Sequence, residues 1–469
     1  MKKSVPILLI LAFSISVSSA FADSNPVGFT NEIGVSSPGG NSTIPQLVVS
    51  GNNVYLGWIN NAAGSFGAMF AKSTDGGSTF AKEMNLGNIN SGAPDNIRIA
   101  ESQGKVYAVW QSFSSNQSSI VFAKSDDDGT TFSSPIQVSD NSKDSAFPQV
   151  VVYGTHVYIA WMERTEGDVT NVVFAKSDDG GTTFGNTIAI TSHTGNSGVS
   201  RIYASGNNVY LMWEDNSEKN FDVFLSTSDD SGNTFGTPLN ISNNTGDSGA
   251  PQMIVNGTNI YATWMDNTSG NFDILFSKST DGGLTFTKPV NVSVDQQDSG
   301  YPQLAVVGNN VYITWTNAVT SKNYDIFLTK SNDGGQTFSP PLNISNSPGA
   351  SGWSQLAVDN GTVYASWVDD TPGHFDVYIA KSNDGGNSFE TPVDVNNGGG
   401  NNSWYNSMSV SSNTVYLTWQ QADNGSNDIM FSKSTTFVPE FGSIVPIVLV
   451  ISIMSIVLVS ARSSLKTRI

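Results

Sequence analysis

Residues 251–293 read PQMIVNGTNIYATWMDNTSGNFDILFSKSTDGGLTFTKPVNVS. Four short apolar or alternating runs (252–255, 260–264, 273–279 and 285–292) are separated by clusters of Gly, Asn and Asp, the pattern of consecutive strands joined by tight turns. The second run, Ile260 to Trp264, is apolar or small on both alternating faces, as a strand sandwiched between neighbouring sheets must be. Two signatures in this stretch recur along the chain. Val/Ile-Tyr-x-x-Trp occurs eight times, ending at Trp58, Trp110, Trp161, Trp213, Trp264, Trp315, Trp367 and Trp419. Ser-x-Asp-x-Gly-x-Thr/Ser-Phe occurs seven times, centred on Asp75, Asp127, Asp179, Asp230, Asp281, Asp333 and Asp384, at a spacing of 51 or 52 residues. A fixed period of this size means one supersecondary unit stacked many times. Four antiparallel strands repeated radially make a propeller blade. The eight second strands therefore predict an all-β, eight-bladed β-propeller of four-stranded antiparallel blades.

The ends of the array predict how the ring closes. The eighth unit has three strands up to Lys433 and no fourth, while Phe29-Thr30-Asn31-Glu32-Ile33 reads like the fourth strand elsewhere, for example Phe132-Ser133-Ser134-Pro135-Ile136. The N-terminal strand is thus expected to complete the last blade, pairing two edges that would otherwise be exposed.

Outside the repeats, Lys2 and Lys3 precede an apolar run from Val5 to Val17 and an Ala20-Phe21-Ala22 cleavage pattern, which reads as a signal peptide over 1–22. Ile444 to Ala461 is uncharged and apolar for 18 residues, just long enough to span a bilayer, with Arg462, Lys466 and Arg468 on the expected cytoplasmic side. The chain divides into the leader, a propeller over 23–438, and a 439–469 segment of short motif, membrane span and basic tail. An exported protein tethered at its C-terminus is the expectation.

Composition agrees. There is no cysteine, so no disulfide framework and no thiolate metal site. Eleven Asn-x-Ser/Thr sequons, among them Asn116, Asn240, Asn256, Asn291 and Asn343, suit a glycoprotein. Lys2, Lys3, Arg462, Lys466 and Arg468 lie in the two ends with one acid, Glu440, which leaves 16 basic against 39 acidic residues and argues against a nucleic-acid partner. His156, His193 and His374 are scattered, without the spacing of metal pairs, and no phosphate loop or nucleophile elbow occurs.

The Ser-x-Asp-x-Gly-x-Thr-Phe signature resembles the Asp box (BNR repeat) of sialidases and related propellers, over nearly the whole span between the ends. That resemblance implies that all seven Asp residues are structural and lie away from the active face. In physical terms, Asp ties down backbone donors, Gly supplies positive φ, and Phe packs into the blade. Pro439-Glu440-Phe441-Gly442, followed by the apolar span and basic end, resembles the PEF-type C-terminal sorting signals of archaeal surface proteins. It implies cleavage near the motif and transfer to a surface or lipid anchor; a plain membrane anchor is the alternative.

A site is expected on the opposite face, where the repeat varies. Aligned on the tryptophans, one column early in the first strand reads Gln46, Arg98, Gln149, Arg201, Gln252, Gln303, Gln355, Ser407, a polar ring near the channel mouth. Two residues after each Trp a second column reads Asn60, Ser112, Glu163, Asp215, Asp266, Asn317, Asp369, Gln421. Arg98, Arg164 and Arg201 are the only arginines between the ends, and arginine grips carboxylates bidentately. The columns and the loop arginine between them predict an anion-binding corner of Arg98, Arg164 and Arg201, with Glu163 and Asp215 as acid/base candidates and Gln149, Gln252 and Asp266 beside it, similar to the three-arginine grip of sialidases on a sugar carboxylate. The opposing reading is that these arginines simply neutralise adjacent acids. The Phe/Tyr-Arg-Ile-Pro motif of that family is absent; Asn96-Ile97-Arg98-Ile99 echoes it only in part. No cofactor is implied, although the acidic column offers the hard oxygens that calcium takes. The aromatic residues Phe147, Tyr301, Trp353 and Tyr405 at the entry to the first strand can either stack on sugars or pack between blades. Near-equal blades without large insertions suit a platform that binds a glycan or a surface protein. An exo-sialidase, or a purely structural envelope protein, are the competing classes.

Overall fold

The computed structural model describes residues 28–437, except 63–65, 88, 90–91, 115–116, 193–194, 295, 321–322, 397–399 and 424. The leader, sorting motif and apolar tail lie outside the described residues. Among those described, no helix is long and apolar enough to cross a membrane. The chain forms eight sheets of four antiparallel strands. In blade 1 the strands run, from the channel outward, Ser42–Ser50, Asn53–Asn60, Gly67–Ser73 and Met84–Asn85. Blades 2 to 7 repeat this order. Blade 8 takes Ser403–Ser411, Thr414–Asp423 and Ser426–Ser434, and its outermost strand is Ile33–Gly34. The expected closure by the N-terminal strand is what the chain adopts. The one helical element described is a single turn, Glu166–Asp168.

The Val-Tyr-x-x-Trp strands explain why blades stack. Val54, Leu56 and Trp58 point to one face and pack with Ile429 and Phe431 of blade 8, whereas Tyr55 and Ile59 point to the other and pack with Ile97, Val106 and Trp110 of blade 2. Alternation along a strand thus feeds two interfaces at once. The core is a ring of slabs between blades, and all eight signature tryptophans are fully buried within it.

On one face of the ring the strand three-to-four turns are built as expected. Asp75 accepts from the backbone N–H groups of Ser78 and Thr79 (both 2.9 Å) and from the hydroxyls of Ser73 (2.7 Å) and Thr79 (2.6 Å). The Ser73 hydroxyl accepts in turn from the Gly77 N–H, at a residue whose φ of 78° favours glycine. These hydrogen bonds to the ionised form hold the seven Asp carboxyls well below their ordinary value, with Asp127, Asp230 and Asp281 at about 2.

A second device on this face joins neighbours. The lysine preceding each signature serine reaches across to the next blade's turn: Lys72 to the Asp128 carbonyl (2.5 Å), Lys124 to the Thr182 hydroxyl (2.9 Å), Lys176 to the Ser231 carbonyl (3.3 Å), Lys278 to Gly334 (3.2 Å), Lys330 to Gly385 (2.8 Å) and Lys381 to Phe437 (2.8 Å). Lys433 closes the circle on the Gly76 carbonyl (2.6 Å). Blade 4 has Thr227 at this position.

At the seam the two chain ends assemble a substitute for the missing eighth turn. Thr30 N–H donates to the Lys433 carbonyl (2.9 Å), as Ser133 N–H does to Lys124 within blade 2 (2.8 Å). The Ser434 hydroxyl donates to the Gly28 carbonyl, and the rings of Phe29 and Phe437 meet at 5.4 Å.

Candidate functional site

Register fixes which residues share the second face. Val157 pairs with Ser177 at the turn face, while Glu163 pairs with both Ser145 and Asn171 at the opposite end. The start of each innermost strand therefore lies beside the strand two-to-three loops, at the mouth of the channel. The polar column stands just inside, every member half-buried in the channel wall.

Above it each innermost strand is bulged. In blade 3, Ala146 pairs with Met162 but the next pair is Gln149 with Ala160, so one extra residue is accommodated. The bulge puts a non-glycine residue in the left-handed region in seven blades: Ile44 (φ 55°), Asn96 (51°), Phe147 (53°), Ala250 (50°), Tyr301 (54°), Trp353 (51°) and Tyr405 (51°). For bulky residues this costs on the order of 1–3 kcal/mol each. What the conformation achieves is display. Phe147, Tyr301, Trp353 and Tyr405 are 45%, 69%, 51% and 43% exposed, so each ring presents a large part of its surface to solvent at the mouth. Tyr301, Trp353 and Tyr405 belong to consecutive blades and form an arc, with Trp353 and Tyr405 at 6.1 Å.

The three arginines separate. Arg201 donates through Nε to Gln252 Oε1 (3.3 Å), and Arg98 donates to the Ile97 carbonyl (2.9 Å). Burial, and then the charge of nearby Arg98, bring the Arg201 guanidinium down to about 10, with Glu214 opposing. Burial likewise lowers Arg98, with Asp95 opposing. Both remain protonated at neutral pH, two like charges held in one stretch of channel wall with Gln149 in the ring between them. Arg164 stands elsewhere: exposed at the rim, 3.8 Å from Asp168, it lines a cavity with Lys143, Asp144 and Glu166. The structure brings together two of the three arginines.

Glu163 and Asp215 are anchors in this geometry. Glu163 is buried and paired with Lys143 at 2.6 Å. Asp215 is buried and accepts from the Ser197 hydroxyl (2.6 Å) and the Ser217 N–H (2.8 Å). Asp266 repeats the arrangement with Ser248 (2.7 Å), the Thr268 N–H (2.9 Å) and Asn244, and Asp369 with Ser351 (2.6 Å). In blades 4, 5 and 7 the column's acid thus ties the strand two-to-three loop to the start of the innermost strand, whereas in blade 3 Glu163 holds Lys143 of the connection that leads into it. Among the described residues no group of three or more His, Cys, Asp or Glu is arranged to hold a metal ion.

Glu214 is a mouth residue that the sequence pattern did not single out. Burial raises its carboxyl, while the Ala250 N–H (3.0 Å) and the Arg201 charge oppose. The available signal was its position directly after Trp213, where blades 1, 3, 5 and 7 carry Ile59, Met162, Met265 and Val368.

No protein-family profile matches this sequence, and no curated protein does. Solved structures do resemble it. An ulvan lyase, a polysaccharide lyase bound to -[GlcA(1-4)Rha3S]-, superposes with a TM-score of 0.50 at 11% identity, covering 73% of this chain and 93% of its own. The Trypanosoma rangeli sialidase in complex with sialic acid gives 0.40 at 13% identity, over 76% and 55% of the two chains. A Dyadobacter fermentans protein of unknown function gives 0.40 at 15%, over 63% and 95%. The likeness is one of propeller fold.

Proposed function

We propose that this protein is an exported, surface-anchored propeller that binds an acidic glycan across its channel mouth without turning it over. One arrangement carries the reading: Arg98 and Arg201, in blades 2 and 4, share a stretch of channel wall where most other blades place Gln, with the exposed ring of Phe147 on the blade between them and the aromatic arc of blades 6 to 8 across the mouth. Guanidinium groups recognise carboxylate or sulfate, and aromatic faces recognise the C–H faces of sugars. The polysaccharide lyase neighbour is bound to -[GlcA(1-4)Rha3S]-, a glycan that carries carboxylate and sulfate groups, which agrees with this ligand class. The engagement of Glu163 and Asp215 in loop anchoring favours binding over hydrolysis. The leader-like 1–22 segment and the motif, apolar span and basic end of 439–469 support export and anchoring of the Asp-box, PEF-type kind.

The test is an array of acidic and neutral oligosaccharides probed with the wild-type protein and with Arg98→Gln, Arg201→Gln and Trp353→Ala. The first two substitutions install the repeat's own residue. Loss of a charge-assisted contact of about 1.5–3 kcal/mol weakens acidic-ligand binding by roughly ten- to hundredfold. Equal binding of acidic ligand by wild type and both arginine variants would sink the proposal, and release of sugar product from the same incubations would replace it with a hydrolase.

A further inference from the structure

A second cavity, of about 510 Å³, opens where the mouths of blades 8, 1 and 2 meet, lined among others by Ile44, Asn61, Asp95, Phe113, Tyr405 and Gln420. Its polar chemistry is one-sided. Gln420 is only 5% exposed, yet its side-chain oxygen has no hydrogen-bond partner, and the side-chain oxygen of Asn61 is buried and unpartnered in the same way. An unmet buried acceptor costs about 1–3 kcal/mol, so two at one cavity call for a source of donors.

The repeat shows that Gln420 is not there for the fold. It directly follows Trp419, a position occupied in other blades by Ile59, Met162, Met265 and Val368. Where that position carries an amide or a carboxylate elsewhere, a bulge residue satisfies it: Gln111 accepts from the Asn96 amide of its own blade (3.2 Å) and Glu214 from the Ala250 N–H of the next (3.0 Å). Blade 8 has the acceptor without the internal donor. The opposite walls are apolar, with the partly exposed rings of Tyr405 and Phe113 and the side chain of Ile44.

We infer that this cavity is a subsite for a neutral, hydroxyl-rich pyranose. Ring hydroxyls donate to Gln420, Asn61 and the Asp95 carboxylate, while a C–H face of the sugar lies on Tyr405 or Phe113. The inference rests on the glycan-binding reading above and extends it: the acidic unit of the ligand sits over Arg98 and Arg201, and a neutral unit sits here.

The experiment is titration calorimetry on the intact chain with three neutral trisaccharides (maltotriose, cellotriose and mannotriose), a glucuronate-containing trisaccharide, and Nα-acetyl-lysine amide as an ammonium probe. Gln420→Met, which installs a residue the repeat already uses there, is run beside Asn61→Ala and Arg98→Gln. The expected result is that at least one neutral trisaccharide binds and that Gln420→Met and Asn61→Ala each weaken it about tenfold. Arg98→Gln weakens the glucuronate ligand by more than it weakens the neutral ones, so failure of the arginine reading is seen separately. Neutral binding untouched by Gln420→Met, absence of neutral binding, or preferential uptake of the ammonium probe each overturns the inference.

Discussion

Replacing Phe29 by alanine tests whether the ring is held by its N-terminal strand. Phe29 is 4% exposed and packs against Phe437 in a cluster with Tyr364, Val377, Val395 and Leu417. Truncating a buried Phe costs about 3–5 kcal/mol. That loss falls on a strand joined to blade 8 by few backbone bonds, chiefly Thr30 N–H to Lys433 (2.9 Å) and Val35 N–H to Ile429 (2.8 Å). The seam should therefore open locally before the ring unfolds, and hydrogen exchange at the Thr30 and Val35 amides reads that opening. At about 1.4 kcal/mol per factor of ten, their protection should fall by roughly two to three orders of magnitude. Phe132→Ala is the control. It belongs to a blade whose four strands are continuous in sequence, and its ring packs on Phe70 of the neighbouring blade (4.9 Å). It should lower the urea midpoint while leaving Thr30 and Val35 protected. If their protection changes less than threefold in Phe29→Ala, the closure argument is wrong.

The lysine bridges predict that Thr227→Lys, which supplies the one missing from the circle, stabilises the protein by about 0.5–1.5 kcal/mol, read as a higher urea midpoint. Glu32 lies at the seam, and burial together with the charges of Asp394 and Asp376 raises its carboxyl to about 7 from an ordinary value of 4.5. A raised acid stabilises below its unfolded value and loses that contribution as pH climbs through 7, so stability should decline between pH 5 and 8. Glu32→Gln should recover about 1–2 kcal/mol at pH 8, after discounting for partial exposure, and flatten the decline. The turn carboxyls act in the opposite sense: with folded values near 2 for Asp127, Asp230 and Asp281, their contribution is complete above pH 4 and is lost as pH falls toward 2. Thermal scans should be flat for this set down to pH 4, and Asp281→Asn should lessen the fall below it.

What the sequence reveals follows how local the cause is. Val54-Tyr55 through Trp58 encodes a strand buried on both faces within five residues, and Ser73 to Phe80 encodes a complete turn, so blade count and both faces are legible by repetition. Phe29 to Ile33 gives away the closure because it copies Phe132 to Ile136. The lysine bridges were equally periodic but silent, since Lys72 and Asp128 reveal their relation only when blades are stacked. The left-handed bulges carry no compositional sign: Tyr301, Trp353 and Tyr405 occupy a backbone conformation that favours glycine, and only tertiary packing holds them there. Arg164 aligned with Arg98 and Arg201 by proximity in sequence, but its loop turns outward to the rim. The unmet acceptors of Gln420 and Asn61 depend on three blades meeting, which no single segment encodes.

The meeting of Gly28 with the Ser434–Phe437 segment makes the order of blades a convention. Joining residues 437 and 28 through a short linker and opening the chain instead at an inner hairpin, such as Gly206-Asn207, would leave every interblade slab with the same residues. The propeller is in this sense a circle cut at one arbitrary point, and permuted chains that begin at different blades should reach one native structure by different folding routes.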